Sequence, residues 1–198
     1  MLNIVVLVSG GGTNLQALIN AEVYGIIQHG HIGKVISSRG DAKALVRAQD
    51  AGIDTAVVSR KAFDSDENFN AALLREIDKA QPDLIVLAGF MHILSEDIIK
   101  KYDKKIVNVH PSLIPSFCGK GFYGLKVHQA ALDRGVKVTG ATVHFVNEIP
   151  DGGEIIAQKA VEVLQDDTPE ILQRRVMEKA EWIILPESVA MLCEERDR

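Results

Sequence analysis

The chain has 198 residues, of which 46% are hydrophobic, and a formal net charge of −5 at pH 7. A chain of this length and composition can bury a substantial core as one domain. Its acidic balance argues against nucleic acid as a partner, so that any anionic substrate has to be held by local donors rather than by the overall charge.

The sequence also argues against a membrane-spanning protein. It contains no run of about 18 apolar residues, and Met1 leads into an apolar strand with no basic region before it, so we expect neither a transmembrane helix nor a signal peptide. Cys118 and Cys193 are far apart and lack metal-type spacing, which favours free thiols in a reducing cytoplasm.

Strand and helix signals alternate through the first half of the chain. Unbroken apolar runs predict buried strands, and apolar residues at helical spacing predict the helices between them. The predicted strands cover 2–8, 31–37, 54–58 and 84–87, and the predicted helices cover 13–24, 41–51 and 66–80. This order predicts an α/β fold with a mainly parallel, Rossmann-like sheet flanked by helices.

The pattern changes after about residue 100. Alternating polar and apolar residues predict two antiparallel strands that extend the sheet, at 136–146 and 154–163. A turn at 148–153 joins them. A long C-terminal helix is predicted to begin with Thr168 as N-cap and Pro169 at the first helical position. It should run to about residue 193, with a bend at Pro186.

A glycine-rich loop at 9–14 separates the first strand from the first helix. Backbone amides converge at a helix N-terminus and favour an anion there. The Gly10-x-Gly12 start resembles a dinucleotide fingerprint, but Leu15 occupies the third glycine position and opposes close approach of a pyrophosphate. A Walker-type loop is excluded because no Gly-Lys-Ser/Thr follows. The loop therefore predicts a single phosphate, with a simple tight turn as the alternative.

Chemistry-bearing side chains follow the apolar strand that leads into Pro111. Asn108 and His110 are two residues apart and therefore point to the same face of that strand. Proline ends the strand, and ligands of open α/β sheets bind at such carboxyl ends. Without other evidence, Asn108 and His110 could equally be the polar end of a strand, with the histidine on the surface and no function. Asp151 lies in a strong turn sequence and could bring a carboxylate into the same cleft.

Five segments together resemble the folate-dependent formyltransferases, in particular the phosphoribosylglycinamide formyltransferases of purine synthesis. The segments are 4–18, 87–94, 108–115, 139–146 and 151–153. The resemblance implies transfer of a formyl group from 10-formyltetrahydrofolate, a co-substrate, to the amine of glycinamide ribonucleotide. It also implies a single domain over 1–198, with a phosphate-binding half at 1–100 and a catalytic, folate-binding half at 101–198.

The resemblance further assigns roles to residues. Asn108, His110 and Asp151 would be catalytic: the amide and the charged imidazole donate to the oxyanion, the imidazole moves the proton, and the carboxylate favours the charged ring. His144 would support this group. The implied binding residues are Gly12, Thr13 and Asn14 for the ribose phosphate, Glu181 for the ribonucleotide, and Met91, His92, Ile93, Leu94 and Asn108 for the folate. Histidine pairs with the spacing and carboxylates of a metal site are missing, so no metal is expected.

The sequence departs from this family's pattern in three places. Relatives mostly have Arg where this chain has His92, and often a basic residue near the folate tail where it has Asp66. The segment 116–126 is longer than in many relatives, and it is predicted to be either a mobile lid or a length-variant surface loop. We expect a cytoplasmic monomer or homodimer that binds neither nucleic acid nor membrane.

Other functions remain open from the sequence. A formyltetrahydrofolate hydrolase would share Asn108, His110 and Asp151, but it needs no phosphate loop. A formyltransferase acting on another amine would also share them, although the size and charge of the chain oppose a tRNA substrate. A nucleotide-binding regulatory module would need no catalytic group, and Leu15 already weakens it.

Overall fold

Seven strands form one continuous sheet in a computed structural model that describes residues 1–197. The strands are β1 (Leu2–Val8), β2 (Gly30–Ser37), β3 (Asp54–Val57), β4 (Leu84–Leu87), β5 (Ile106–His110), β6 (Val138–Phe145) and β7 (Ile155–Glu162). They lie in the order β3-β2-β1-β4-β5-β6-β7. Neighbours from β3 to β5 are parallel, whereas β6 and β7 are antiparallel additions. The predicted α/β architecture is therefore confirmed.

Helices connect the parallel strands and close the C-terminal end of the described chain. They are α1 (Thr13–Val23), α2 (Lys43–Asp50), α3 (Asp66–Ala80), α4 (Glu96–Lys101), α5 (Leu125–Arg134), α6 (Pro169–Val176) and α7 (Trp182–Asp197). A 3₁₀ turn at Arg60–Ala62 precedes α3, and a π-helical turn at Met177–Glu181 joins α6 to α7. No helix within residues 1–197 is both long and apolar enough to cross a membrane.

The central strand β1 shows why the sheet has two cores. Side chains alternate along a strand, so Ile4, Val6 and Val8 face one side and Val5 and Leu7 the other. The first side packs against α1 and α7, and the second against α3 and α4. All five side chains are fully buried. Burying a Val, Leu or Ile side chain is worth about 1.5–3 kcal/mol, which explains the continuous apolar run of this strand.

The predicted elements agree closely with the observed ones, apart from α4 and the C-terminal helix. The predicted bounds of β1, α3 and β4 match those observed. Thr168 caps α6, accepting a hydrogen bond of 3.3 Å from Ile171 N, and Pro169 begins that helix as predicted. α7 continues through Pro186. The departure from α-helical geometry lies earlier in the chain, at the π-helical turn between α6 and α7.

Candidate active site

The carboxyl end of β5 carries the two side chains that the sequence placed on one face. Antiparallel pairing with β6 sets Asn108 opposite His144 and His110 opposite Thr142. Asn108 Nδ2 lies 3.3 Å from His144 Nε2, and His144 Nδ1 donates to the carbonyl of Phe145 at 2.8 Å. The pairing of these strands thus adds a second imidazole beside the amide.

Asp151 enters the same cleft from the turn between β6 and β7. Its Oδ2 lies 3.5 Å from His110 Nδ1, and its Oδ1 lies 3.6 Å from His144 Nε2. The amide of Gly119 donates to Oδ2 at 2.8 Å. Burial opposes ionisation of this carboxyl, but the nearby His144 imidazole, the charge on His110 and the Gly119 amide outweigh it and lower the pKa of Asp151. The carboxylate is therefore a fixed negative charge between two imidazoles.

His110 is buried, and both of its ring nitrogens face acceptors. Nδ1 faces the carboxylate of Asp151, and Nε2 donates to the carbonyl of Phe117 at 2.9 Å. Phe117 has a left-handed backbone with φ of 51°, which is uncommon for a bulky residue. Because a carboxylate and a carbonyl can only accept hydrogen bonds, the doubly protonated ring satisfies both partners at once.

A further buried histidine, His128 on α5, lies near His110. Burial and then the charge of His110 lower the pKa of His128 to about 4. Neither of its ring nitrogens has a hydrogen-bond partner among the described residues. His128 is thus neutral at physiological pH and adds no second positive charge to the cleft.

A pocket of about 150 Å³ opens beside the side chains of Asn108, His144 and Asp151. Of the residues expected to contact a folate, His92, Ile93, Leu94 and Asn108 line it. Met91 does not line it; its side chain is 55% exposed and its backbone amide donates to Ser9 Oγ. Leu87, Phe90 and Ile99 also line the pocket and were not predicted from the sequence. Their apolar character offered no signal beyond that of a core residue.

The glycine loop begins α1, with Gly12 as N-cap. Gly12 has a φ of 72°, and a Cβ added there would lie 2.7 Å from both Cα and Cβ of Ala44. Packing and backbone conformation therefore require glycine at this position without any ligand. Added Cβ atoms at Gly10 and Gly11 would meet nothing within 4 Å, so this part of the loop is the open approach to the helix N-terminus.

The other two predicted phosphate-binding residues point toward the C-terminal helix. Thr13 Oγ1 lies 3.9 Å from Met177 Sδ, and Asn14 Nδ2 donates to Glu181 Oε2 at 2.7 Å. The side chain of Asn14 is thus engaged inside the protein, and only its backbone amide remains for an anion at the loop. Burial raises the pKa of Glu181 to about 7, against the opposing effect of the Asn14 hydrogen bond.

Glu181 ends the π-helical turn, and π-helical turns are frequent at functional sites. The turn packs against β6 and β7 and so places this carboxyl beside the glycine loop. The structure therefore brings Glu181 together with Asn14, whereas Asn108, His110 and Asp151 form a separate group. Within residues 1–197, no cluster of three or more His, Cys, Asp or Glu side chains is arranged to hold a metal ion.

A larger cavity, of about 420 Å³, lies between α1 and the start of α7. It shares Thr13 with the glycine loop, but none of Asn108, His110 and Asp151 lines it. Tyr24 and Trp182 contribute aromatic walls. This volume is therefore not the cleft that holds the buried histidine and aspartate.

Comparison with known proteins gives consistent matches over nearly the whole chain. A sequence profile described as "Formyl transferase" matches residues 2–189. The phosphoribosylglycinamide formyltransferase of Escherichia coli is 43% identical over 175 residues, which is 88% of this chain and 80% of that protein. The trifunctional purine biosynthetic protein adenosine-3 of Drosophila melanogaster is 44% identical over 192 residues. This chain spans only 14% of that relative's length.

Solved structures are similar at the level of the whole fold. Glycinamide ribonucleotide transformylase 1 from Symbiobacterium toebii superposes with a TM-score of 0.92 at 42% identity, covering 99% of this chain and 89% of that one. Phosphoribosylglycinamide formyltransferase from Coxiella burnetii gives a TM-score of 0.89 at 41% identity, covering 98% and 88%.

Proposed function

Because this chain belongs to the formyl transferase family, we propose that it is a phosphoribosylglycinamide formyltransferase of purine biosynthesis. The reaction moves a formyl group from N10 of 10-formyltetrahydrofolate to the amine of 5-phosphoribosylglycinamide. Its products are formylglycinamide ribonucleotide and tetrahydrofolate. We place it in the cytoplasm as a monomer or homodimer that needs no metal.

The observation that carries the proposal is the position of Asp151 against His110 at the end of β5, beside Asn108 and the small pocket. Formyl transfer to an amine needs a donor for the oxyanion and a group that moves one proton. An amide and a protonated imidazole supply these functions without a covalent intermediate.

The residues would act in the following order. The free amine attacks the formyl carbon, and the tetrahedral oxyanion accepts hydrogen bonds from the Asn108 amide and from His110. The charged His110 ring then gives its proton to N10 as the carbon–N10 bond breaks, and the ring regains a proton from the attacking amine. Asp151 orients the imidazole and offsets its positive charge while the ring carries this proton.

One contact must change for this chemistry to occur. His110 Nε2 donates to the carbonyl of Phe117 in the structure. An N–H that is already donated contributes little to a second acceptor, so either this carbonyl moves aside or the ring turns when substrate binds. The segment 116–126 thereby gains a direct connection to the chemistry, which supports the lid interpretation over a passive surface loop.

We assign the ribonucleotide to the carboxyl end of β1, which only β4 separates from β5 in the sheet. The open part of the loop at Gly10 and Gly11, with the backbone amides of Thr13 and Asn14, suits a phosphate at a helix N-terminus. The Glu181 carboxyl accepts a hydrogen bond from the Asn14 side chain and so lies next to this loop. It can also accept a hydrogen bond from a hydroxyl or amine of the substrate. Local donors thus provide the anion binding that the net negative charge does not.

The test is to mix the protein with 10-formyltetrahydrofolate, first alone and then with glycinamide ribonucleotide. We expect tetrahydrofolate to form only after the amine is added, in equal amounts with formylglycinamide ribonucleotide measured by chromatography. If the folate were fully consumed without any amine acceptor, the protein would be a formyltetrahydrofolate hydrolase instead. Transfer to a different amine at a higher kcat/KM would instead change the assigned acceptor.

A further inference from the structure

The pocket beside Asn108 and Asp151 is too small for a whole folate. Its volume of about 150 Å³ is below the roughly 300–1,000 Å³ typical of pockets for drug-sized ligands. A folate consists of a pteridine, an aminobenzoate and one or more glutamates. One end of it therefore has to leave the pocket and cross the protein surface.

The rim of the pocket at His92 is aromatic. The His92 ring lies 5.1 Å from the Phe69 ring and 5.6 Å from the Phe90 ring, measured between centroids. His92 and Phe90 line the pocket, whereas Phe69 belongs to α3. A flat aromatic group that leaves the pocket here meets ring faces and edges, which favours contact.

The charge that lines the pocket itself is unsuited to a carboxylate. Among its described residues Glu148 and Asp151 are acidic, and none is Lys or Arg. Burial, and then the positive charge of Arg60, lowers the pKa of His92, so this ring is neutral at physiological pH. A glutamate tail therefore needs a cation outside the pocket.

Arg60 is a cation near His92, close enough for its charge to act on that ring. It lies in the 3₁₀ turn before α3, where its Nε donates to Asp66 Oδ1 at 2.7 Å and its Nη1 donates to the carbonyl of Phe63 at 2.8 Å. Asp66 is in the first turn of α3, one helical turn before Phe69. Its side chain is 78% exposed, while that of Arg60 is 29% exposed. The carboxylate can therefore swing into solvent while the guanidinium stays in place.

We propose that Arg60 binds the glutamate carboxylates of the folate tail in exchange for Asp66, and that Asp66 acts as an internal competitor that weakens binding of short tails. This inference rests on the proposed function for the identity of the ligand. A guanidinium suits a carboxylate because its donors form a planar fork. A tail with several glutamates presents more carboxylates to the same cation, which raises their effective concentration against Asp66.

The experiment compares three co-substrates that differ only in the tail: 10-formyltetrahydropteroate without glutamate, the monoglutamate and the triglutamate. Binding is measured by calorimetry, and KM and kcat by formyl transfer, for the natural chain and for Arg60→Gln and Asp66→Asn. Asp133→Asn and Arg134→Gln on α5 serve as matched controls that remove the same charges from an exposed part of the chain.

We expect Arg60→Gln to raise Kd and KM for both glutamate-containing folates by about tenfold, with kcat and the pteroate unchanged. Asp66→Asn should lower Kd for the monoglutamate by a few fold. The Kd values for the monoglutamate and the triglutamate should therefore differ less than they do for the natural chain. Both effects should shrink at high ionic strength, because the pair is partly exposed. The α5 controls should resemble the natural chain.

Three results would overturn the proposal: Arg60→Gln binding the glutamates as well as the natural chain does, an equal loss for the pteroate, or weaker monoglutamate binding by Asp66→Asn. Tail-dependent binding without transfer to glycinamide ribonucleotide would overturn the proposed function but leave this inference standing. A natural chain that binds none of the three folates would overturn both.

Discussion

Gly153 of the turn after β6 passes so close to Phe145 that a Cβ on it would lie 1.7 Å from the Phe145 carbonyl oxygen. The same turn holds Asp151 in a left-handed conformation with φ of 57° and is closed by a hydrogen bond of 2.9 Å from Gly152 N to the carbonyl of Ile149. Glycine at position 153 is therefore a steric requirement of the turn that brings the Asp151 carboxylate next to His110.

The first prediction concerns the group around Asp151. Asn108→Ala, His110→Ala and Asp151→Asn should each lower kcat by about 10² or more, the scale of one lost oxyanion donor or proton-transfer group. Steady-state kinetics with both substrates measure this, and circular dichroism checks the fold. His31→Ala removes an exposed histidine and should change little. Near-normal turnover by a folded His110→Ala protein would refute the mechanism.

A second prediction separates packing from ligand binding in the glycine loop. Gly11→Val should weaken binding of glycinamide ribonucleotide without affecting the folate, since the added atoms enter only the open approach to α1. Gly12→Val should instead lower Tm, because its side chain would collide with Ala44 and its φ is positive. Calorimetry with each ligand separates the two. An equal loss for both ligands in a folded Gly11→Val protein would remove this loop from the ribonucleotide site.

The third prediction is a pH dependence set by Glu181. Its pKa is raised from 4.5 to about 7 in the folded state, so its contribution to stability is present below about pH 4.5 and is lost as the pH rises through about 7. Relative to Glu181→Gln, the natural chain should therefore lose several degrees of Tm across that window. Thermal melts over the pH series measure it, with exposed Glu178→Gln as control. Parallel pH curves for the natural chain and Glu181→Gln would contradict the raised pKa.

The fourth prediction concerns Thr142, whose buried hydroxyl anchors the turn after His110. It donates to Ser112 O at 2.7 Å and accepts from Ile114 N at 3.1 Å and from Gln158 Nε2 at 3.0 Å. Thr142→Val leaves Ser112 O and Ile114 N without this partner, whereas Gln158 Nε2 still donates to the carbonyl of Ile114. The substitution should cost about 2 kcal/mol in the free energy of unfolding.

The same substitution should lower kcat, because the turn begins at the residue after His110. Denaturant unfolding and kinetics check both effects. Thr139→Val, on the same strand and also buried, is the matched control. If Thr142→Val were as stable and as active as Thr139→Val, the hydroxyl would have no anchoring role.

The sequence predicted those parts of the fold whose signals are long or strong. The apolar run at Leu84–Leu87 and the periodic helix Asp66–Ala80 were located to the residue. Both are set by local chemistry, since the strand is buried on both faces and Ser65 caps the helix by accepting a hydrogen bond from Asn68 N. α4 was missed because six residues are too few to show a helical period.

Within the candidate site, side chains were predictable and backbone contacts were not. The spacing of Asn108 and His110 placed them on one face, and the resemblance assigned Asp151 to the same cleft, where it lies 3.5 Å from His110. The role of Glu181 toward the ribonucleotide stays a prediction. The carbonyl of Phe117 and the amide of Gly119 meet His110 and Asp151 through atoms that every residue type carries. No residue pattern marks such contacts, and they depend on how the loop folds back.

The hydrogen bond between Asn14 and Glu181 joins residues 167 positions apart in the chain. During translation at about 5–20 residues per second, the glycine loop is synthesised roughly 10–30 seconds before its partner. In the nascent chain, the amide of Asn14 therefore stays exposed to water until the π-helical turn docks. A ribonucleotide that needs both residues can stabilise only chains whose synthesis has passed Glu181, so it can assist late consolidation of the fold but not its early steps.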